Sequence, residues 1–312
     1  TDAAQHPKSK VIMQLMAQLQ WPAAVGARGL SWLWKRSRRV AVAAVVVVAV
    51  VKVRAYVQKQ QRRKRWEAAG QDVVVLHMFV RGKNLPNLSP FVLKLETYLR
   101  MADIKYEVDY EEPMGSKGKS PWITLNGQDL ADSQFVMEHL ASKFNKDFSS
   151  HLSREEKATA HALRIMLENN TLWGLAYWRY VQDGGRAILT GMYVPFFVRL
   201  SLTAFVRHFK KLIWMQGMGR HSPHDIEYLC KQDLAALATH LGDKDFLMGD
   251  KPTEVDCAVF GFLCQLMYAS AGSPYARMLE TDFPNLRSYC LRVKDKFWPD
   301  WNACLDPPQP VS

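Results

Sequence analysis

The first 66 residues almost lack acidic side chains, since Asp2 is set there against fourteen lysines and arginines. The rest of the chain holds 27 basic and 29 acidic side chains, so the net charge of +11 belongs to the N-terminal segment. A nucleic-acid-binding domain carries its basic patch on a folded surface. The nearly neutral remainder therefore argues against nucleic acid as a partner.

Cysteine is absent before Cys230, and the five cysteines of the chain include no Cys-x-x-Cys pair. No Cys/His spacing suits a structural zinc ion, so the sequence predicts no metal site. An odd number of scattered cysteines is typical of a reducing compartment. We expect reduced, mostly buried thiols and a folded part that faces the cytosol or a similar compartment.

Residues 40 to 51 read VAVAAVVVVAVV, an uninterrupted apolar run between basic flanks. Twelve helical residues span about 18 Å against roughly 30 Å of hydrocarbon, so the run alone is short for a membrane span. Lys52 and Arg54 can snorkel, which favours a single-pass anchor over residues 40 to 57. An interfacial helix, a buried valine-rich segment and an Arg-rich transit peptide are the alternatives.

Basic residues do not set the orientation of this anchor, because seven precede the apolar run and seven follow it. The cysteines instead favour a C-terminal part in the cytosol. The leader contains three tryptophans that either form an interfacial belt or lie in a disordered segment: Trp21, Trp32 and Trp34. The chain begins at Thr1 without a methionine, so we expect that its true N-terminus is missing.

After Gly70 the pattern predicts the β-α-β start of a thioredoxin-like sheet. Residues 72 to 80 (DVVVLHMFV) read as a buried strand, and residues 104 to 110 (IKYEVDY) as a half-buried one. Between them Ser89 is placed as a helix N-cap, with Pro90 at the first helical position. Polar residues of this helix are expected to face away from its apolar side: Lys94, Glu96 and Arg100.

Two short strands follow Pro121 and meet at Asn126-Gly127, a strong signal for a type I′ hairpin. Asp132-Ser133 then begins a helix. The expected apolar positions of that helix are Phe135, Val136, His139, Leu140 and Phe144. We predict that His139 and the strand residue His77 are satisfied core histidines rather than catalytic groups.

The second half of the chain reads as helical. Ser153-x-x-Glu156 is a capping box that opens a long helix through about Gln182, and Thr253 with Asp256 forms another. Three aromatic residues of the long helix that begins at Ser153 share one face, which either packs in the core or lines an apolar pocket: Trp173, Tyr177 and Tyr180. Residues 192 to 216 are apolar and basic without an acid, which predicts a helix between the two halves, a membrane-surface helix or a partner-binding helix.

Three motifs resemble the glutathione site of the glutathione transferase fold: Ser89-Pro90-Phe91, Lys119-Ser120-Pro121-Trp122 and Asp132-Ser133. The resemblance implies a cis peptide before Pro121 and a Ser89 hydroxyl that activates the glutathione thiol. It also implies that Ser120 and Pro121 hold the cysteinyl backbone and that Asp132 and Ser133 hold the γ-glutamyl end. Each motif has a plainer structural role as well, as helix cap, hairpin entry or helix start. Glutathione is therefore a possible ligand, and Trp122 or Phe91 could fill its site.

Longer stretches are similar to the failed axon connections family over about residues 71 to 301. Together with residues 89 to 91, Lys94 and residues 121 to 123, they are residues 95 to 103, 247 to 256, 259 to 261 and 296 to 299. The resemblance implies a transferase-like, metaxin-related fold attached to a membrane and a role in axon development. It implies no established reaction.

The sequence thus predicts an α/β thioredoxin-like half (residues 71 to 147) and an all-α glutathione transferase-like half (148 to 304). A basic anchor segment (1 to 70) precedes them and a tail (305 to 312) follows. We expect a membrane-anchored, non-catalytic interaction module, and a homodimer is possible. The alternatives are a glutathione-dependent transferase that uses Ser89 and a metaxin-like component of the mitochondrial outer membrane.

Overall fold

The computed structural model describes residues 23–193 and 196–306, with side chains for residues 40–193 and 202–306. The chain divides into two compact units, Thr1–Arg65 and Trp66–Ser312. Predictions for the start of the chain, for Trp21 and for residues 307–312 lie outside the described residues. The side chains of Trp32 and Trp34 lie outside them too.

The described part of the first unit is helical, and helix α1 spans Ala23–Glu67. Its apolar run is exposed, with Val45 68% accessible. Within the described residues, the stretch Val40–Glu67 is the one helix long and apolar enough to cross a membrane. Its 28 residues would extend about 42 Å at about 1.5 Å per residue. The helix therefore continues well past the run of twelve valines and alanines, which by itself is too short to span a bilayer.

The second unit begins with a four-stranded sheet of order β2-β1-β3-β4. Its strands are β1 (Val74–His77), β2 (Tyr106–Asp109), β3 (Trp122–Leu125) and β4 (Gln128–Ala131). β1 and β2 are parallel, and the other two pairs are antiparallel. Asn126 and Gly127 both have positive φ, as a type I′ turn requires. The predicted thioredoxin-like half is confirmed.

Helix α2 (Pro90–Met101) connects β1 to β2, and α3 (Ser133–Phe144) follows β4. The remaining helices are α4 (Arg154–Met166), α5 (Leu172–Tyr177), α6 (Arg186–Gly191), α7 (Phe196–Gln216), α8 (Pro223–Leu241), α9 (Glu254–Tyr268), α10 (Pro274–Thr281) and α11 (Pro284–Phe297). π-helical turns at Leu167–Thr171 and Trp178–Gln182 continue α4 and α5, so the predicted long helix is continuous to Gln182.

Helix α2 is buried between the sheet and α9, which packs closely against it. A Cβ atom at Gly261 of α9 would clash with the carbonyl oxygen of Pro90, so only glycine permits this approach. The polar residues Lys94 and Glu96 of α2 are buried. Glu96 accepts two hydrogen bonds of 2.7 Å from Arg81. Because α2 is covered on both sides, these side chains do not face away from the interior.

Two further expectations are wrong. Phe135 of α3 is 60% exposed and His139 is exposed as well, whereas the predicted apolar positions Val136 and Leu140 are buried. Helix α7 is not buried between the two halves, since Trp214 and Met215 are 57% and 63% exposed.

The start of α9 is fixed by a buried carboxylate. Asp256 accepts hydrogen bonds from Leu247 N at 2.8 Å, from Thr253 N at 2.7 Å and from the Tyr289 hydroxyl at 2.7 Å. Burial raises the pKa of Asp256, while these donors act in the opposite direction. The carboxylate therefore links three chain segments at the centre of the helical half.

We expect Asp256→Ala to lower the free energy of unfolding by about 3 kcal/mol or more, because each buried donor left without a partner costs about 1 to 3 kcal/mol. Asp225→Ala is the matched control, since Asp225 occupies the same position of an exposed capping box with Ser222. Its cost should be about 1 kcal/mol. Chemical denaturation of both variants measures the difference, and equal losses would contradict this role of Asp256.

Candidate functional site

The topology brings the three site motifs to one end of the sheet. Trp122 pairs with Ala131, so the next residues outward, Pro121 and Asp132, flank the same end of the β3–β4 hairpin. His77 at the end of β1 also pairs with Trp122. The loop that leaves β1 at this end leads to Ser89 at the start of α2.

Ser89 is the N-cap of α2, as predicted. Its Oγ accepts a hydrogen bond of 3.4 Å from the backbone N–H of Val92. Its own backbone N–H donates to Asn87 Oδ1 at 2.9 Å. The carbonyl of Asn87 accepts from Gln265 Nε2 of α9 at 3.0 Å. The helical half therefore holds the loop that presents Ser89.

A buried arginine supports the same loop. Arg179 donates from Nη1 to the carbonyl of Leu88 at 3.1 Å and from Nη2 to Gln265 Oε1 at 3.0 Å. It lies in the π-helical turn Trp178–Gln182. Burial lowers the pKa of Arg179. The sequence shows this arginine only as one polar residue in an aromatic helix, so its contact with the Ser89 loop was not predictable.

The peptide bond between Ser120 and Pro121 is cis, which confirms the expectation from the resemblance. Ser120 Oγ is buried and has no hydrogen-bond partner among the described residues. A buried hydroxyl of this kind is unusual, because most buried polar side-chain atoms in proteins are paired.

Asp132 and Ser133 begin α3. Asp132 Oδ1 caps the helix by accepting from the N–H groups of Gln134 at 3.0 Å and Phe135 at 3.4 Å. The backbone of Asp132 has φ 90°, a region that residues other than glycine rarely adopt. Such backbone strain is concentrated at ligand and active sites. Ser133 is buried at the first turn of the helix.

A buried ammonium lies beside the start of α3. Lys94 Nζ donates to Gln134 Oε1 at 2.7 Å and to Glu168 Oε1 at 2.6 Å. Glu168 also accepts from Arg164 at 2.7 Å. Burial lowers the pKa of Lys94, and the charge of Glu168 opposes that shift. Because Glu168 lies in the π-helical turn Leu167–Thr171, Lys94 joins the candidate site to the helical half.

Both large side chains that could fill the site have packing partners of their own. The Trp122 ring stacks on His77 with centroids 3.6 Å apart, and its Nε1 donates to the carbonyl of Glu112. Phe91 packs edge-on against Phe262 of α9. The predicted aromatic face of the long helix packs against the helical core: Trp173, Tyr177 and Tyr180.

His77 is a satisfied core histidine, as predicted. Its Nδ1 lies 3.0 Å from Asp109 Oδ2 and its Nε2 lies 3.0 Å from Thr124 Oγ1. Burial lowers the pKa of His77, although the hydrogen bond to Asp109 acts in the opposite direction. The imidazole is thus a buried link between three strands of the sheet. Within the described residues, no group of His, Cys, Asp and Glu could hold a metal ion.

Comparison with known proteins gives two family matches. The glutathione S-transferase N-terminal domain matches residues 90–185, and the glutathione S-transferase C-terminal domain matches residues 230–293. Failed axon connections of Drosophila melanogaster is 35% identical over 77% of this chain. The chain spans 64% of the length of that relative.

Other relatives are more distant. Isoprene-epoxide–glutathione S-transferase of Rhodococcus sp. (strain AD45) is 28% identical over 72% of this chain and 99% of that protein. Metaxin-2 of Mus musculus is 21% identical over 67% of this chain and 82% of that protein. The solved structure of glutathione transferase GSTFuA3 from Phanerochaete chrysosporium covers 72% of this chain and 97% of its own, at a TM-score of 0.53 and 12% identity. At that identity the likeness shows the fold alone.

The lowered pKa of His77 predicts acid sensitivity. The His77 imidazole binds a proton more readily in the unfolded chain than in the folded chain. The contribution of neutral His77 to the free energy of unfolding is therefore fully present above the unfolded pKa of about 6.5, and it is lost as the pH drops below that value. The loss should approach about 1.4 kcal/mol per pH unit at most. Urea unfolding at several pH values should show a shallower loss for His77→Gln and an unchanged loss for the exposed control His139→Gln. Parallel pH profiles for wild type and His77→Gln would contradict the assignment.

Proposed function

The chain belongs to the glutathione transferase-like, metaxin-related family of Failed axon connections, and on this premise we propose that it is a membrane-anchored, non-catalytic interaction module that binds glutathione. The observation that carries the glutathione part is Ser120 Oγ, which is buried without a partner among the described residues, at the end of the sheet that the three motifs share. An unmade hydrogen bond at a buried hydroxyl costs about 1 to 3 kcal/mol, and a bound ligand would remove that cost.

The chemistry of the site suits the γ-glutamyl end of glutathione. Its carboxylate would accept hydrogen bonds from the Ser133 hydroxyl at the positive end of α3. Its ammonium group would meet Asp132, whose helix cap uses only Oδ1. The Lys94 ammonium, which is paired with Glu168, holds Gln134 next to these two residues. The site therefore offers a partner for each charge of that end.

Two observations support a non-catalytic module. The cap that Ser89 provides to α2 accounts for this serine without any chemistry. The exposed apolar helix α1 has no use in a soluble conjugating enzyme, whereas it would hold a docking module at a membrane. The role in axon development that the resemblance implies stays a prediction, and so does a homodimer.

The proposed topology is a single pass over residues 40 to 57 with the second unit in the cytosol. Four of the five cysteines are buried and Cys304 is half-buried, as expected for reduced thiols. The likeness to metaxin-2 supports a metaxin-like component of the mitochondrial outer membrane as the alternative location and role.

A second candidate function is a glutathione transferase that uses Ser89. The cap engages Ser89 Oγ only as an acceptor, so its O–H can still donate to a glutathione sulfur. The N-terminus of α2 favours a thiolate at that place. The relative named as a glutathione S-transferase aligns over 99% of its own length, which supports this candidate.

Calorimetric titration of the full chain in detergent with reduced glutathione tests the proposal. We expect a dissociation constant near or below cellular glutathione, weakened about tenfold or more in Ser133→Ala because one charge-assisted hydrogen bond is lost. Ser153→Ala is the matched control, since it alters a serine at a remote helix start and should leave binding unchanged.

A conjugation assay with an epoxide separates the two candidates. If the chain is a non-catalytic module, we expect no rate above that of the uncatalysed reaction. Turnover that Ser89→Ala abolishes would instead show that the chain is a glutathione transferase that uses Ser89. Absence of heat at several times cellular glutathione would overturn the glutathione part of the proposal, whatever the assay shows.

A further inference from the structure

Helix α7 presents an exposed surface that neither the glutathione site nor the core uses. We call five exposed residues that share one side of this helix the α7 surface: Arg207, Lys210, Lys211, Trp214 and Met215. Its tryptophan is 57% exposed and its methionine is 63% exposed. Large apolar side chains are rarely this accessible together on one short stretch of a helix.

The helix is nevertheless held firmly by its other side. Ile213 is fully buried, and the Phe209 ring packs in a tilted arrangement against the Tyr180 ring with centroids 4.2 Å apart. Val206 lies close against Gly185 in the turn that precedes α6. The exposed residues are therefore presented by a packed helix in a fixed orientation.

The charge of this surface has one sign. Residues 192 to 216 contain no aspartate or glutamate. Within the part of the chain that the structure describes, no salt bridge involves Arg207, Lys210 or Lys211. Arg220 adds a further positive charge over the Trp214 ring, 5.8 Å from its centroid. The surface is thus cationic and without internal compensation.

We propose that the α7 surface lies on the anionic face of a lipid bilayer. Lysine and arginine attract anionic headgroups, and tryptophan with neighbouring apolar side chains lies at the boundary between headgroups and acyl chains. A helix that docks into a protein groove presents apolar anchors at positions i, i+3 or i+4, and i+7. In the series that ends at Trp214, Arg207 occupies position i and Lys211 position i+4, which favours a charged planar surface over an apolar groove.

This contact is separate from the glutathione site and does not require that α1 spans the bilayer. Hydrogen–deuterium exchange of the full chain tests it, with the protein bound to vesicles of phosphatidylcholine alone or with about one third phosphatidylserine. We expect residues 202 to 216 to exchange about fivefold more slowly with the anionic vesicles than with the neutral ones.

The charge-reversed variant Arg207→Glu/Lys210→Glu/Lys211→Glu should lose this protection. The matched control Lys105→Glu/Lys157→Glu/Lys251→Glu reverses three exposed lysines elsewhere on the second unit and should keep it. Both variants change the net charge equally, so a general electrostatic effect would affect them alike.

Equal protection with neutral vesicles, or protection that survives charge reversal, would overturn the proposal. Protection that needs no lipid and grows with protein concentration would place a second copy on this surface instead. Residues 40 to 57 report the anchor in the same experiment. If they are protected with both vesicles while residues 202 to 216 are not, the α7 proposal fails and the anchor does not.

Discussion

The burial of α2 on both sides is the constraint on which the second unit depends. Gly261 lets α9 approach the first turn of α2 closely, and polar side chains of α2 then find partners in the helical half. Lys94 pairs with Glu168, and Thr97 accepts a hydrogen bond of 3.0 Å from Trp298 Nε1. Buried polar groups are costly unless they are paired, so these contacts hold α2 in one position.

The candidate site follows from that position, because its parts are held by both halves of the unit. Ser89 begins α2, and Arg179 of the helical half holds the preceding residue, Leu88, by its carbonyl. Lys94 reaches from α2 to Gln134, next to the residues proposed for the γ-glutamyl end. The thioredoxin-like half supplies the backbone of the candidate site, while the helical half fixes where that backbone lies. An isolated thioredoxin-like half would lose both supports.

Local signals in the sequence predicted the strands, the hairpin at Asn126-Gly127 and the helix caps, since each depends on a few neighbouring residues. The partners of Lys94 and Glu96 could not be read in this way, because helical periodicity assumes one buried face and α2 has two. The π-helical turns that place Glu168 and Arg179 have no sequence signature. Phe135 and His139 were wrongly predicted as buried, because a helical pattern of apolar residues does not show whether another element covers that side of the helix.

A crystal structure of the full chain grown with reduced glutathione would show whether the two halves together hold a site for this ligand. We expect the γ-glutamyl end at Asp132 and Ser133, the Ser120 hydroxyl engaged with the ligand, and the sulfur near Ser89. An empty site at saturating glutathione, or glutathione bound away from these residues, would contradict this expectation.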